Sequence, residues 1–190
     1  MYTPKNLISH NGHDIMVLPM DIEYTERIIS VYGEINTELA VTLCSALRTL
    51  NRESDDDITI YLNSPGGSVS DGFYIYDTIK SLDCDVKMIA CGTCASMAAF
   101  LLAAGGTKGK RSIQPNAEVL IHQPLGGAQG QASDIHIHAQ HILKVREKLN
   151  HILAEVTEQT MESIEADTDR DNIMDAESAV KYGLVDFIEY

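Results

Sequence analysis

Three short segments of this 190-residue chain hold residue types suited to acyl chemistry. Asn63-Ser64-Pro65-Gly66-Gly67 is a tight-turn sequence, Ser96 follows a run of small and apolar residues, and His122 closes a short apolar stretch. A serine hydroxyl is a weak nucleophile until a base takes its proton. Histidine can be that base, provided a carboxylate fixes its tautomer. Backbone N–H groups left free at a helix start, here that of Met97, can hold an oxyanion. A glycine at position 67 lets another N–H approach the same oxygen with no side chain in the way. Placement alone leaves this reading open, since a serine at a helix start is usually a cap. The acid is open too: there are 28 Asp and Glu residues, and spacing does not single one out.

Two other groupings suggest different chemistry. Cys91-Gly92-Thr93-Cys94 has the C-x-x-C spacing of redox or zinc sites. No second C-x-x-C supplies the remaining zinc ligands, and both cysteines end an apolar run where small buried thiols are common. Free thiols are therefore expected for these two, and equally for Cys44 and Cys84. His136, His138 and His141 stand close together, which suits a metal site or a pH-sensitive contact. The plainer expectation is partly exposed helix positions, and no metal site is predicted.

The elements that must position these residues are read from periodicity. Ile28 to Tyr32 reads as a strand ending at Gly33. Asn36 can cap a helix whose Leu39, Leu43, Ala46, Leu47 and Leu50 share one face. Ile58 to Leu62 suits a strand buried on both faces, followed by the glycine turn and a helix around 71–81. Val86 to Cys91 is another strand, Ser96 to Ala104 a short apolar helix closed by Gly105-Gly106, and Glu118 to His122 a third strand. Strands alternating with helices predict an α/β fold with a mostly parallel sheet. Reactive groups in such sheets gather at the carboxyl ends of strands, where the glycine turn, Ser96 and His122 all fall. A long helix follows over about 133–157, with Ile135, Ala139, Ile142, Val145, Leu149, Ile152 and Val156 in one stripe. It can pack along its own domain or project toward another subunit. Asp175 caps a last helix that Gly183 ends.

The length suits a single core: residues 1–25 read as an irregular arm and 26–190 as one domain. A formal net charge of −14 argues against a nucleic-acid or anionic-membrane partner, since the only basic cluster is Lys108, Lys110 and Arg111. No apolar run approaches the ~20 residues of a membrane span. Met1 to Pro19 lacks the pattern of a secretory signal, so a cytoplasmic location is expected.

Several strings carry a family resemblance. Tyr61-Leu62-Asn63-Ser64-Pro65-Gly66-Gly67-Ser68-Val69, Ala95-Ser96-Met97-Ala98-Ala99-Phe100-Leu101-Leu102 and Leu120-Ile121-His122-Gln123-Pro124-Leu125-Gly126-Gly127 resemble the proteolytic subunit of Clp proteases, ClpP. So do Gln129 to Ile135 and Tyr182-Gly183-Leu184-Val185-Asp186. The resemblance runs from about Glu26 to Ile188. It implies a ClpP/crotonase-like superhelix of βαβ units with the long helix as a projecting handle. It implies a serine endopeptidase with Ser96 as nucleophile, His122 as base, Asp171 as acid, and the N–H groups of Gly67 and Met97 as oxyanion donors. Heptameric rings stacked as a tetradecamer would enclose the sites, with Asp169 and Arg170 matching positions of ring–ring contact. Unfolded proteins and peptides would be the substrates. A AAA+ Clp ATPase would be the partner that spends ATP, and the subunit itself would need no cofactor or metal.

The chain departs from that pattern in places. Between Leu18-Pro19-Met20 and Glu26, little more than Asp21 to Thr25 stands where the family carries a helix near the ring face. An atypical paralogue with a shortened N-terminal segment is expected, with docking of an ATPase left open. Cys94 stands where a small residue, commonly alanine, is usual, and Glu158 where relatives often place the glycine that ends the handle. Two other readings stand beside the active peptidase. One is a non-catalytic ring subunit that regulates a second ClpP subunit. The other is an acyl-CoA enzyme of the crotonase fold, against which the matched serine, histidine and aspartate argue.

Overall fold

The structure, a computed structural model, describes residues 6–10 and 13–190, with side-chain surroundings from Met16 onward. Its frame is a parallel sheet in the order β3 (Ile28–Tyr32), β4 (Ile58–Ser64), β5 (Val86–Ala95), β6 (Arg111–Ile113) and β9 (Phe187–Ile188). β7 (Glu118–Ile121) pairs parallel with the far end of β5, and β8 (Asn172–Met174) pairs antiparallel with β7. The mixed α/β fold with a mostly parallel sheet is the one expected from the alternating pattern. On β4, Ile58, Ile60, Leu62 and Ser64 are buried and the residues between them half-buried, so one face is sealed and the other only partly covered. The sequence reading had both faces sealed.

α2 (Thr37–Glu53) begins where Asn36 Oδ1 accepts from Leu39 N at 3.0 Å, and it buries Ala40, Leu43, Cys44, Leu47 and Leu50. Its far end is held by Arg27, whose guanidinium donates to the carbonyls of Leu50, Ser54 and Asp56. α3 (Val69–Lys80) is capped by Ser68, which accepts from Asp71 N. α4 (Met97–Phe100) runs into one π-helical turn, Leu101–Gly105. This pair replaces the single helix expected from Ser96 to Ala104. These elements and the sheet enclose a core that includes Ile35, Leu47, Ile60, Met88 and Leu102, all almost fully buried.

The first 25 residues are not an irregular arm where they are described. β1 (Asn6–His10) and β2 (His13–Val17) form an antiparallel pair, and α1 (Pro19–Thr25) follows. Residues 1–5 and 11–12 lie outside the described residues. Pro19 supplies a φ suited to a first helical turn, and the Asp21 carboxylate accepts from Leu18 N at 2.8 Å. Two turns leave no stripe for periodicity to register.

α5 (Ala132–Thr157) is about 39 Å long. Residues 132–141 are all exposed, whereas Leu149, Asn150, Leu153 and Thr157 are buried. Half of the helix therefore projects and half packs on the domain. It ends at Glu158 in left-handed backbone, φ 60° and ψ 22°, a conformation that costs a residue with a Cβ. Glu158→Gly should raise the melting temperature by about 2–4 °C despite losing the exposed contact with Lys108, as a thermal melt would show. An unchanged or lower value would mean the turn carries no strain.

The three basic residues 108–111 are engaged within the domain. Lys108 pairs with Glu158, Lys110 with Asp57 and Asp85, and Arg111 with Asp186. Beyond α5 lie α6 (Met161–Asp167), the short β8 and α7 (Ala176–Tyr182), which Asp175 caps and Gly183 ends. Among the described residues no helix is long and apolar enough to cross a membrane.

Candidate active site

The three sequence-marked segments converge where β4, β5 and β7 end. Ser96 sits between β5 and α4 with φ 57° and ψ −122°, a strained conformation for a residue with a side chain. Its N–H donates to Leu120 O at 2.8 Å, which holds the turn against β7. The hydroxyl makes no helix cap. It lies instead 2.8 Å from His122 Nε2. His122 Nδ1 lies 3.0 Å from Asp171 Oδ1. An ionised carboxylate only accepts, so Nδ1 carries the ring proton, Nε2 is the acceptor, and Ser96 Oγ–H donates. Hydroxyl, imidazole and carboxylate thus stand in line, each bonded to the next. His122 is largely covered, but the Asp171 side chain is 69% exposed in the single chain.

The turn after β4 supplies the other half of the site. Ile35 forms a parallel bridge with Gly67: Ile35 N donates to Gly66 O and Ser68 N to Ile35 O, both at 2.8 Å. Both bonds flank Gly67, so its own N–H faces away from Ile35. Among the described residues, neither Gly67 N–H nor Met97 N–H donates to a protein acceptor. Gly66 presses against the serine turn. A Cβ there would stand 2.7 Å from Ser96 Cβ and 2.9 Å from Met97 N, and its φ is +89°. Ser64, fully buried, accepts from Gly66 N at 3.1 Å and holds this turn. The close approach at Gly66 went unread in the sequence, although the residue was in view.

An apolar pocket adjoins Ser96, walled by Val69, Met97, Phe100, Pro124, Leu149 and Leu153. Its walls come from four separate parts of the chain, so it had no signature in the sequence. Asp169 and Arg170 lie exposed beside Asp171, and Asp169 Oδ1 is 3.7 Å from Arg146 Nη2.

The C-x-x-C pair is accounted for by packing. All four cysteines are free. Cys94 is buried and its Sγ donates to Leu62 O at 3.0 Å, while Cys91 Sγ donates to Ile89 O. Burial pushes the Cys94 thiol up to about 12. Iodoacetamide at pH 8 should therefore modify Cys94 about 10³-fold more slowly than an ordinary thiol until the protein is unfolded. Peptide mass mapping would show it, and rapid native labelling of Cys94 would contradict the burial argument. His136, His138 and His141 are exposed on α5, and among the described residues no group of three or more His, Cys, Asp or Glu is placed to hold a metal.

A strained serine turn on a parallel sheet, an imidazole–carboxylate pair and two backbone N–H groups without a protein acceptor among the described residues form an arrangement that can carry acyl transfer. A family model described as Clp protease matches residues 13–189, nearly the whole chain. The chain belongs to the Clp protease family, and by that membership it is a ClpP-type peptidase.

Proposed function

We propose that this chain is a serine endopeptidase subunit that cleaves unfolded proteins and peptides with Ser96 as nucleophile, His122 as base and Asp171 as the acid that orients it. The unbroken line from Ser96 Oγ to His122 Nε2 and from Nδ1 to Asp171 carries this reading. His122 takes the hydroxyl proton as Ser96 attacks the scissile carbonyl, then returns it to the leaving amine. The N–H groups of Gly67 and Met97 receive the oxyanion. Water then releases the acyl group by the same route. The chemistry uses side chains, backbone and water, with no cofactor in the subunit.

The proposal extends to assembly. The projecting half of α5 exposes Ile135 and Ile137, and Leu125 is 85% exposed nearby. Such apolar surface suits contact with further copies, as in stacked heptameric rings, with Asp169 and Arg170 at the ring junction. ATP would be spent by a partner unfoldase of the AAA+ class, in the cytoplasm. The test is intact mass after a fluorophosphonate, with the natural chain and Ser96→Ala compared. One adduct on the natural chain alone supports the reading. No adduct on either would sink it as stated and favour a non-catalytic ring subunit.

A further inference from the structure

The exposed acid raises a problem of position. Asp171 belongs to a three-residue bridge, Asp169-Arg170-Asp171, whose members are all exposed. Within a single chain, packing does not fix a side chain that is 69% exposed, and until the ring junction proposed above covers the bridge, water competes for its carboxylate. The bridge hangs between two anchors. On one side is Thr168, 1% exposed, whose hydroxyl donates to Ile164 O at 2.6 Å. On the other is Asn172, which pairs with Ile121 in the β7–β8 ladder.

One residue ties this bridge to the histidine. Gln123 directly follows His122, and its N–H donates to Thr168 O at 2.6 Å. Its side-chain amide then reaches along the bridge: Nε2 donates to Asp169 O at 2.8 Å and to Asp169 Oδ1 at 3.3 Å. Arg146, from α5, faces the same Asp169 carboxylate. The residue beside the base thus grips the backbone two positions before the acid.

We propose that Gln123 is a positioning residue for the base–acid pair, setting the register between His122 and Asp171 by holding the 169–171 bridge. This rests on the peptidase reading above. It adds a residue that touches neither the nucleophile nor the ring nitrogens and acts only through Asp171. Gln123→Glu is nearly isosteric but sets a carboxylate against the Asp169 carbonyl and carboxylate, which repels the bridge instead of gripping it. Gln123→Ala removes the grip with no repulsion. Both keep the backbone bond to Thr168.

The test is the rate at which a fluorophosphonate labels Ser96 in the full chain, measured over a range of probe concentrations. Gln123→Glu should lower the limiting rate about 10–100-fold, and Gln123→Ala about 5–20-fold, with the half-saturating probe concentration within about twofold of the natural chain. In an Asp171→Asn background, where the carboxylate is already lost, both changes should have no further effect. A residue that merely supports the fold would lower the rate by the same factor in both backgrounds, and that result overturns the proposal. So does an unchanged rate in the natural background. If Gln123→Glu does not fold, Gln123→Ala decides alone. If the natural chain itself takes no label, the peptidase reading falls and this inference with it. If the natural chain labels and the Gln123 variants match it, only this inference falls.

Discussion

Ser96→Ala should lower turnover of an unfolded protein or fluorogenic peptide by about 10⁴–10⁶-fold while leaving the chain folded. The loss is large because serine and histidine act as a unit, so what survives is the contribution of binding and the oxyanion donors alone. The fold should survive because, among the described residues, the only side-chain bond lost is the one from Oγ to His122. The backbone bond from residue 96 to Leu120 O remains, and alanine bears the same positive φ that serine does. A melting temperature within a few degrees of the natural chain is the matching expectation. Turnover within tenfold of the natural chain would remove Ser96 from the chemistry.

The second large effect concerns stability. Arg111 is 3% exposed and Asp186 17%. Arg111 Nε and Nη2 donate to the two Asp186 oxygens at 3.0 and 2.6 Å, and the N–H groups of Gly109 and Arg111 add two more bonds. Arg111 Nη1 reaches Ala103 O and Val156 O, so the pair also joins the π-helical turn to the end of α5. Arg111→Ala strands a largely covered carboxylate, 17% exposed, and should cost about 3–5 kcal/mol in urea unfolding. Replacing both residues with apolar ones should cost clearly less than the two single changes added together. A loss under about 1 kcal/mol for Arg111→Ala would show that water reaches the site. The pH sign follows from Asp186. Burial raises its carboxyl, but the bonds from Arg111 and Gly109 outweigh that and hold it below the ordinary range. A carboxylate lowered in the folded state stabilises fully above the unfolded value and loses that contribution as pH falls through the folded one. The natural chain should therefore lose more stability than Asp186→Asn below about pH 4.

Much of the frame was legible because it obeys local rules. Asn36 caps α2, Asp175 caps α7, and β3, β4 and α3 fall within a few residues of where periodicity puts them. What was missed is short or non-local. β6 and β8 are three residues each, too brief for a pattern, and α1 and α6 have seven. The expected end of the 86–91 strand was wrong because Cys91 and Gly92 look like a terminus, yet the strand resumes to Ala95 beyond an irregularity. Ser96 and His122 could be suspected from their places at strand ends. Asp171 could not, because an acid that comes from 49 residues beyond its histidine has no local mark. Only the family resemblance put it forward. Gln123 and Gly66 stood in plain sight, but their roles lie in contacts with Asp169 and with the serine turn that spacing does not reveal.

The irregularity in β5 also bears on how this protein can change by descent. Leu62 pairs with Ala90 and Ser64 with Cys94, so β5 sets three residues, 91–93, opposite the single Asn63 of β4, two more than regular pairing needs. The extra length takes β5 past β6, which it meets at 88–90, and on to β7, which it meets at 93–95. Gly92, at φ +61°, turns within it against Asn63. Side chains alternate along a strand, so removing one residue here would send Cys94 and Ser96 to opposite faces from those they now occupy. Amino-acid exchanges in this stretch are graded in their consequences; a change in its length is not. Insertions and deletions should be purged from residues 91–93 far more strictly than substitutions, and a library of single-codon deletions would find them closed to loss.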